Sequence, residues 1–340
     1  MGNISKNYYK IKRSYVKWCF EKLTIFDFFI VIAVAGCYNA GKSEKISERG
    51  ICAVAKEATM AVKASAVGGE GPIWDHRCNK LYWLDIASQQ LYAHDPATGA
   101  NTMAQLPVRI SRLFLMGERD FAAAIPGGVA KLYQENGVWK TEKLITLEED
   151  PDIVSNDGEC DSRGRIVLGL MHRDCLPGRG SLHTVGSKTG NCFARNLNLP
   201  NGVAWSEDEK ELYVVTNHPS AGLLYYGYDA VTGAVGQLKE FVEFPGADGM
   251  CADENGNLWI TRVSRGSVAC FDPRTKQIID EVTVPVKTTT SCAFGGENLD
   301  TLYITTATWG NDVPEAPDRG SLFKVENMKV RGRKANCFRW

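Results

Sequence analysis

Charge of one sign is what this 340-residue chain lacks first: 39 Lys and Arg stand against 40 Asp and Glu, a formal net charge of −1. A chain so close to neutral sets up no global basic field, so nucleic acid is not an expected partner. Its 11 cysteines include no CxxC pair and no zinc-finger spacing, which removes the usual thiolate zinc sites. Two readings of that odd number remain: small buried hydrophobes in a reducing compartment, or a secreted disulfide framework. No G-x-S-x-G elbow is present either, so a serine nucleophile has no signature here. Helical periodicity is almost absent, which argues against an α/β sheet. The apolar run Phe28 to Cys37 is about ten residues, too short for an ordinary membrane span.

That run opens the stretch "FFIVIAVAGCYNAGKS", in which Gly36, Gly41, Lys42 and Ser43 satisfy the Walker A spacing. A working P-loop needs its strand inside a parallel sheet, with a helix and further βαβ units after it. Nothing downstream supplies them, so the match is expected to be accidental and no nucleotide is expected to bind. Ahead of it lie Lys6, Lys10, Lys12, Arg13 and Lys17, and "VAGC" has the small residues of a cleavage site. A signal peptide, a weak anchor and an accessory extension all fit residues 1–55, with no independent fold expected there. A cytoplasmic location follows for the chain unless Phe28–Cys37 acts as a signal or anchor segment. Only in that case is a membrane a partner.

What the chain does have is glycine, 33 residues of it, in turn contexts such as "PGGV", "ENGN" and "FGGEN". Beyond Ala55 a unit recurs, clearest in "GPIWDHRCNKLYWLDIASQQLYAHDPATG" and "GVAWSEDEKELYVVTNHPSAGLLYYGYDAVTG". It returns as "GMCADENGNLWITRVSRGSVACFDPRTK" and from "CAFGGENLDTLYIT", with two weaker copies between. Central strands are expected near Tyr82, Phe121, Val167, Tyr213, Trp259 and Tyr303, a step of roughly 40 to 46 residues that suits four-stranded propeller blades. The fold class expected is therefore all-β: a six-bladed β-propeller over 56–330, with an extension at 1–55 and a tail at 331–340.

Propeller sites collect where inner strands approach the central channel. Four polar residues open separate units beside glycine: Glu70 in "GEGPIW", Asn156 in "SNDGECD", Asn201 in "LPNGVAWS" and Asp248 in "ADGMCAD". Turn chemistry alone would account for any one Asn-Gly or Asp-Gly. Glu70 is not a turn residue, and two carboxylates with two amides form a hard-oxygen set. Such a set suits Ca²⁺, Mg²⁺ or Mn²⁺ better than a thiolate or imidazole zinc site.

These motifs, with "NDGECDSRGR", "DGMCADENGNLW" and "TTSCAFGGENLDTLYIT", resemble the regucalcin (senescence marker protein), gluconolactonase and luciferin-regenerating enzyme family. The resemblance runs from roughly Ala61 to Val325, and in the last two units it is strongest toward animal regucalcins. It implies a six-bladed propeller with one divalent cation in the channel, Ca²⁺ first, with Zn²⁺, Mn²⁺ or Mg²⁺ as alternatives. It also implies Glu70, Asn201 and Asp248 as metal ligands, Asp248 as general base, and Asn156 as a residue that touches substrate or supports a ligand. A small-molecule lactone would be the substrate, opened by water; the alternative is a calcium-binding regulator without turnover, and a third reading is an interaction scaffold. The chain also departs from the family. Val154 stands where an Arg is common, the loop after Met171 is short, and Thr216 and Asn217 follow the fourth unit's inner strand where an Asp is usual. His172 and Arg173 are candidates for the altered pocket, or plain exposed loop residues.

Overall fold

A computed structural model describes residues 56–217, 221–309 and 316–340. The Walker match and the apolar run at 28–37 lie outside the described residues. Every regular element among the described residues is a strand, and the strands form six sheets. The structure is the six-bladed propeller that the repeat implies. The inner strands are Gly69–Asp75, Arg112–Met116, Ile153–Cys160, Pro200–Trp205, Ala247–Ala252 and Thr289–Gly295, for blades 1 to 6 in that order. The six residues expected on central strands all fall on the second strand of their blades, for example Tyr82 on Lys80–Asp85 and Tyr303 on Thr301–Thr306.

Sequence explains the gradient from channel to rim. Second strands such as "KLYWLD" and "TLYITT" are β-branched and aromatic, and they are buried on both faces because blades pack face to face. Outer strands such as "ANTMAQ" and Ala234–Glu243 are mostly exposed and carry the polar residues. Six larger hydrophobic clusters result, one at each contact between neighbouring blades. In the contact of blades 5 and 6, Trp259 meets Phe294 edge-on at 5.8 Å. Each fully buried Leu or Phe in these clusters stabilises the ring by about 1.5–3 kcal/mol.

Both ends of the described chain close the ring. Thr59–Val62 pairs antiparallel with Leu322–Val325 as the outer strand of blade 6, while Lys56–Glu57 adds in parallel to the edge strand of blade 5. At the other terminus Gly332 bridges Asp253, and the Arg333 guanidinium donates to the carbonyls of Asp253, Trp205 and Ser206. Asn336 then donates to the Cys160 carbonyl, and Cys337–Phe338 pairs with Leu115–Met116. These contacts fall where inner strands end, so residues 332–338 cross one mouth of the channel. The opposite mouth is where the inner strands start.

Candidate metal centre at the start of the inner strands

Glu70, Asn201 and Asp248 are each the second residue of an inner strand, in blades 1, 4 and 5. Asn156 is the fourth residue of its strand, yet it shares their local geometry. In these four blades the ladder to the second strand slips at this level, between Glu70 and Ile73, Ser155 and Gly158, Pro200 and Val203, and Ala247 and Met250. A bulge frees side chains from the alternation of the strand and re-aims them. The four residues therefore sit in strands, not turns, and turn chemistry does not account for them.

The glycines have a different cause from the one a turn would supply. A Cβ on Gly202 would stand 2.5 Å from Met250 N, and one on Gly249 would stand 2.7 Å from Ser291 Cα. Inner strands of adjacent blades approach so closely here that only glycine fits after Asn201 and Asp248. Threonine hydroxyls fix the same backbone. Thr290 Oγ1 donates to Gly69 O at 2.6 Å, and Thr261 Oγ1 lies 2.9 Å from Gly249 O and 2.8 Å from Thr290 O. The residue before Glu70 is thus held from blade 6, and the residue after Asp248 from the second strand of its own blade 5, at about 1 kcal/mol per bond.

Asn156 and Asn201 meet directly. Asn156 Nδ2 donates to Pro200 O at 2.8 Å and to Asn201 Oδ1 at 2.7 Å. This pair of bonds sets which way the Asn201 amide faces, and its oxygen keeps a second lone pair. Asn201 Nδ2 is buried without a hydrogen-bond partner, as are Thr216 Oγ1, Asn217 Nδ2 and Ser291 Oγ. Buried polar atoms of this kind normally meet a partner. An oriented amide oxygen and two carboxylates at matching register suit a hard cation; of the orphaned atoms only the Thr216 and Ser291 hydroxyls could offer it an oxygen, while the two amide nitrogens call for an acceptor. Among the described residues, no group of three or more His, Cys, Asp and Glu side chains could hold a metal ion.

Arg112, the first residue of blade 2's inner strand, was not singled out by sequence. Its Nη2 lies 2.8 Å from Glu159 Oε2 and its Nε 3.6 Å from Asp157 Oδ1. Burial pushes the Glu159 carboxyl above its ordinary range, against the pull of Arg112. The blade 2 repeat is a weak copy without a glycine-flanked polar residue, which is why the pattern passed over it.

The altered pocket residues divide. Val154 packs with Met171 and Leu199 in a small apolar cluster, with Cys175 against it. His172 is buried at the end of a second strand, where Nδ1 accepts from Asp174 N at 3.1 Å, so it is not a loop residue. Arg173 is exposed and pairs with Asp152 at 3.3 Å. Thr216 and Asn217 do not follow an inner strand: Thr216 ends the second strand of blade 4 and pairs with Pro200, because antiparallel order returns the chain to the same mouth. None of the eight described cysteines is in a disulfide, and no helix among the described residues is long and apolar enough to cross a membrane.

Comparison with known proteins covers most of the chain. The model of the SMP-30/Gluconolactonase/LRE-like region matches residues 68–308. Regucalcin of Gallus gallus is 30% identical over 298 residues, which span 80% of this chain and 97% of that protein. Pentonolactonase XacC of Haloferax volcanii is 32% identical over 254 residues, spanning 73% of this chain and 84% of its own. Among solved structures, a calcium-binding regucalcin from Agrobacterium tumefaciens aligns with a TM-score of 0.78 at 26% identity, over 84% of this chain and 98% of that one.

Proposed function

Because the chain belongs to the SMP-30/gluconolactonase/LRE-like family, we propose that it is a divalent-metal-dependent hydrolase that opens a lactone, either a sugar lactone or a related cyclic ester. The observation that carries this reading is the shared register of Glu70, Asn201 and Asp248, each the second residue of its inner strand. These three would hold the ion, Ca²⁺ in the first instance, since a relative in the family is described as calcium-binding. When bound, the ion supplies Lewis-acid polarisation of the lactone carbonyl and stabilises negative charge on its oxygen.

The chain's own residues do the rest. Asp248 takes a proton from the attacking water and returns it to the leaving alkoxide as the ring opens. Asn156 orients Asn201 and offers the substrate side of the site an amide whose position is fixed by two hydrogen bonds. No nucleophilic side chain is required. The free thiols of the described cysteines support a reducing, cytoplasmic setting.

A second reading, a calcium-binding regulator without turnover, is favoured by one observation: Val154, two residues before Asn156, is packed into a buried apolar cluster with Met171 and Leu199. A side chain so placed offers nothing to the hydroxyls of a sugar. Hydrolysis of a panel of sugar and alkyl lactones, with Ca²⁺, Mn²⁺ or Zn²⁺ and with chelator, separates the two. An ion-dependent rate supports the hydrolase; saturable Ca²⁺ binding without any rate supports the regulator.

A further inference from the structure

Five of the six inner strands slip register at the level of the candidate ligands, and blade 2 does not: Arg112 pairs with Ala124 and the ladder runs unbroken to Met116. Where the other blades bulge a polar residue toward the channel, blade 2 supplies a long cation. Arg112 is only 4% exposed, and a guanidinium so buried persists only if paired. One side of it lies along blade 1, where its Cδ would be 3.7 Å from a Cβ on Gly71, the residue after Glu70. The other side reaches Asp157 and Glu159 of blade 3, which flank Gly158 inside and just beyond the bulge that carries Asn156.

We propose that Arg112 is a positioning residue for this end of the channel: it clamps the Asp157–Glu159 segment so that Asn156 keeps its hydrogen bond to Asn201. The clamp is needed because a bulge has lost its ladder bonds and is the softest part of the strand. A hydrogen bond to Glu159 and a longer ion pair to Asp157, on either side of Gly158, add to the anchors at Ser155, whose carbonyl accepts from Arg109 Nη1 and whose hydroxyl donates to Ile125 O. The proposal rests on the reading of this site as metal-dependent and lactone-opening.

Its electrostatic and positioning consequences have opposite signs. Removing a positive charge beside a cation site should tighten ion binding; loosening the ligands should weaken it. The test compares Arg112→Met, Arg112→Lys and the exchanged pair Arg112→Glu with Glu159→Arg. Three readouts are used: the side-chain amide resonances of Asn156 and Asn201 in ion-free protein, calorimetric Ca²⁺ affinity, and KM with kcat on a lactone. Arg112→Met is expected to shift or broaden the Asn156 amide signals and to weaken Ca²⁺ binding by about tenfold, the scale for losing a residue that orients a ligand. KM should rise more than kcat falls. Lysine should restore part of the loss, and the exchanged pair should exceed either single change. Tighter Ca²⁺ binding in Arg112→Met overturns the proposal. So does a lowered thermal midpoint with Asn156 signals, Ca²⁺ affinity and KM all unchanged, since Arg112 then serves only the fold. Should Arg112→Met not fold, Glu159→Gln is measured by the ion-free Asn156 and Asn201 amide signals and by KM, because losing a negative charge weakens Ca²⁺ binding by itself: shifted Asn156 signals with a raised KM support the clamp, and unchanged signals overturn it. If the unmodified protein opens no lactone, the hydrolase reading falls, whereas the ion-free amide signals still decide the role of Arg112.

Discussion

Asn156 Nδ2 stands 2.7 Å from Asn201 Oδ1, one bond that joins the bulges of two adjacent blades and orients a proposed metal ligand through a neutral neighbour. Replacing Asn156 by Ala removes that orientation without removing a ligand or a base. Asn156→Ala should therefore raise KM and weaken Ca²⁺ binding by about tenfold or more, the scale for losing a residue that orients a ligand, with a smaller loss of kcat. Steady-state kinetics on a lactone at saturating ion checks it. A kcat loss as large as that of a base variant, at unchanged KM, contradicts the supporting role.

Glu70→Gln turns a charged hard ligand into a neutral one at the same register. Ca²⁺ affinity should fall by at least about tenfold, because charge count at the site sets affinity for a hard cation. Isothermal calorimetry on the metal-free protein measures this. Affinity equal to that of the unmodified chain removes Glu70 from the ligand set.

Ring closure by Thr59–Val62 makes a sharp distinction between two truncations. A chain starting at Lys56 keeps both terminal strands and should melt cooperatively at the midpoint of the full chain. A chain starting at Lys63 loses the outer strand of blade 6 and exposes the edge Leu322–Val325, which should lower the midpoint and promote association. Calorimetry and light scattering report the two effects. Equal midpoints for both truncations contradict the closure.

His183 gives a pH dependence outside the metal centre. It lies buried in blade 3, its Nε2 2.9 Å from Ser181 Oγ, and burial, with Arg195 nearby and Glu148 opposing, lowers its pKa from 6.5 to about 4. The unfolded chain thus binds this proton more readily than the folded one, and protonation favours unfolding. The contribution is fully present above pH 6.5 and is lost as pH falls toward about 4. Denaturant titrations between those limits should show a steeper loss of stability in the unmodified protein than in His183→Gln. Parallel curves contradict the assignment.

Much of this molecule was legible in its sequence because a repeat averages out local ambiguity. The six central strands could be placed from "LYW", "LYVV", "LWI" and "LYI", since inter-blade packing demands β-branched and aromatic residues at that level. Glu70, Asn201 and Asp248 could be picked out as glycine-flanked polar residues, but the cause of those glycines could not. It lies in the approach of one blade to the next at Met250 and Ser291, contacts between residues more than 40 positions apart in the case of Gly202 and Met250. The same limit hid Arg112, whose partners Asp157 and Glu159 lie on another blade. It also misplaced Thr216, whose return to the channel mouth follows from antiparallel pairing with Pro200.

The most direct measurement follows proton release during lactone opening by the unmodified protein and by Asp248→Asn, each with calorimetrically verified Ca²⁺ saturation. The amide retains an oxygen for the ion but cannot accept a proton. The account predicts ion-dependent turnover in the unmodified protein and a loss of about 10² or more in kcat for the ion-loaded variant, the usual scale for removing a general base. Near-normal kcat in ion-loaded Asp248→Asn, or no ion-dependent opening of any lactone by the unmodified chain, would contradict it.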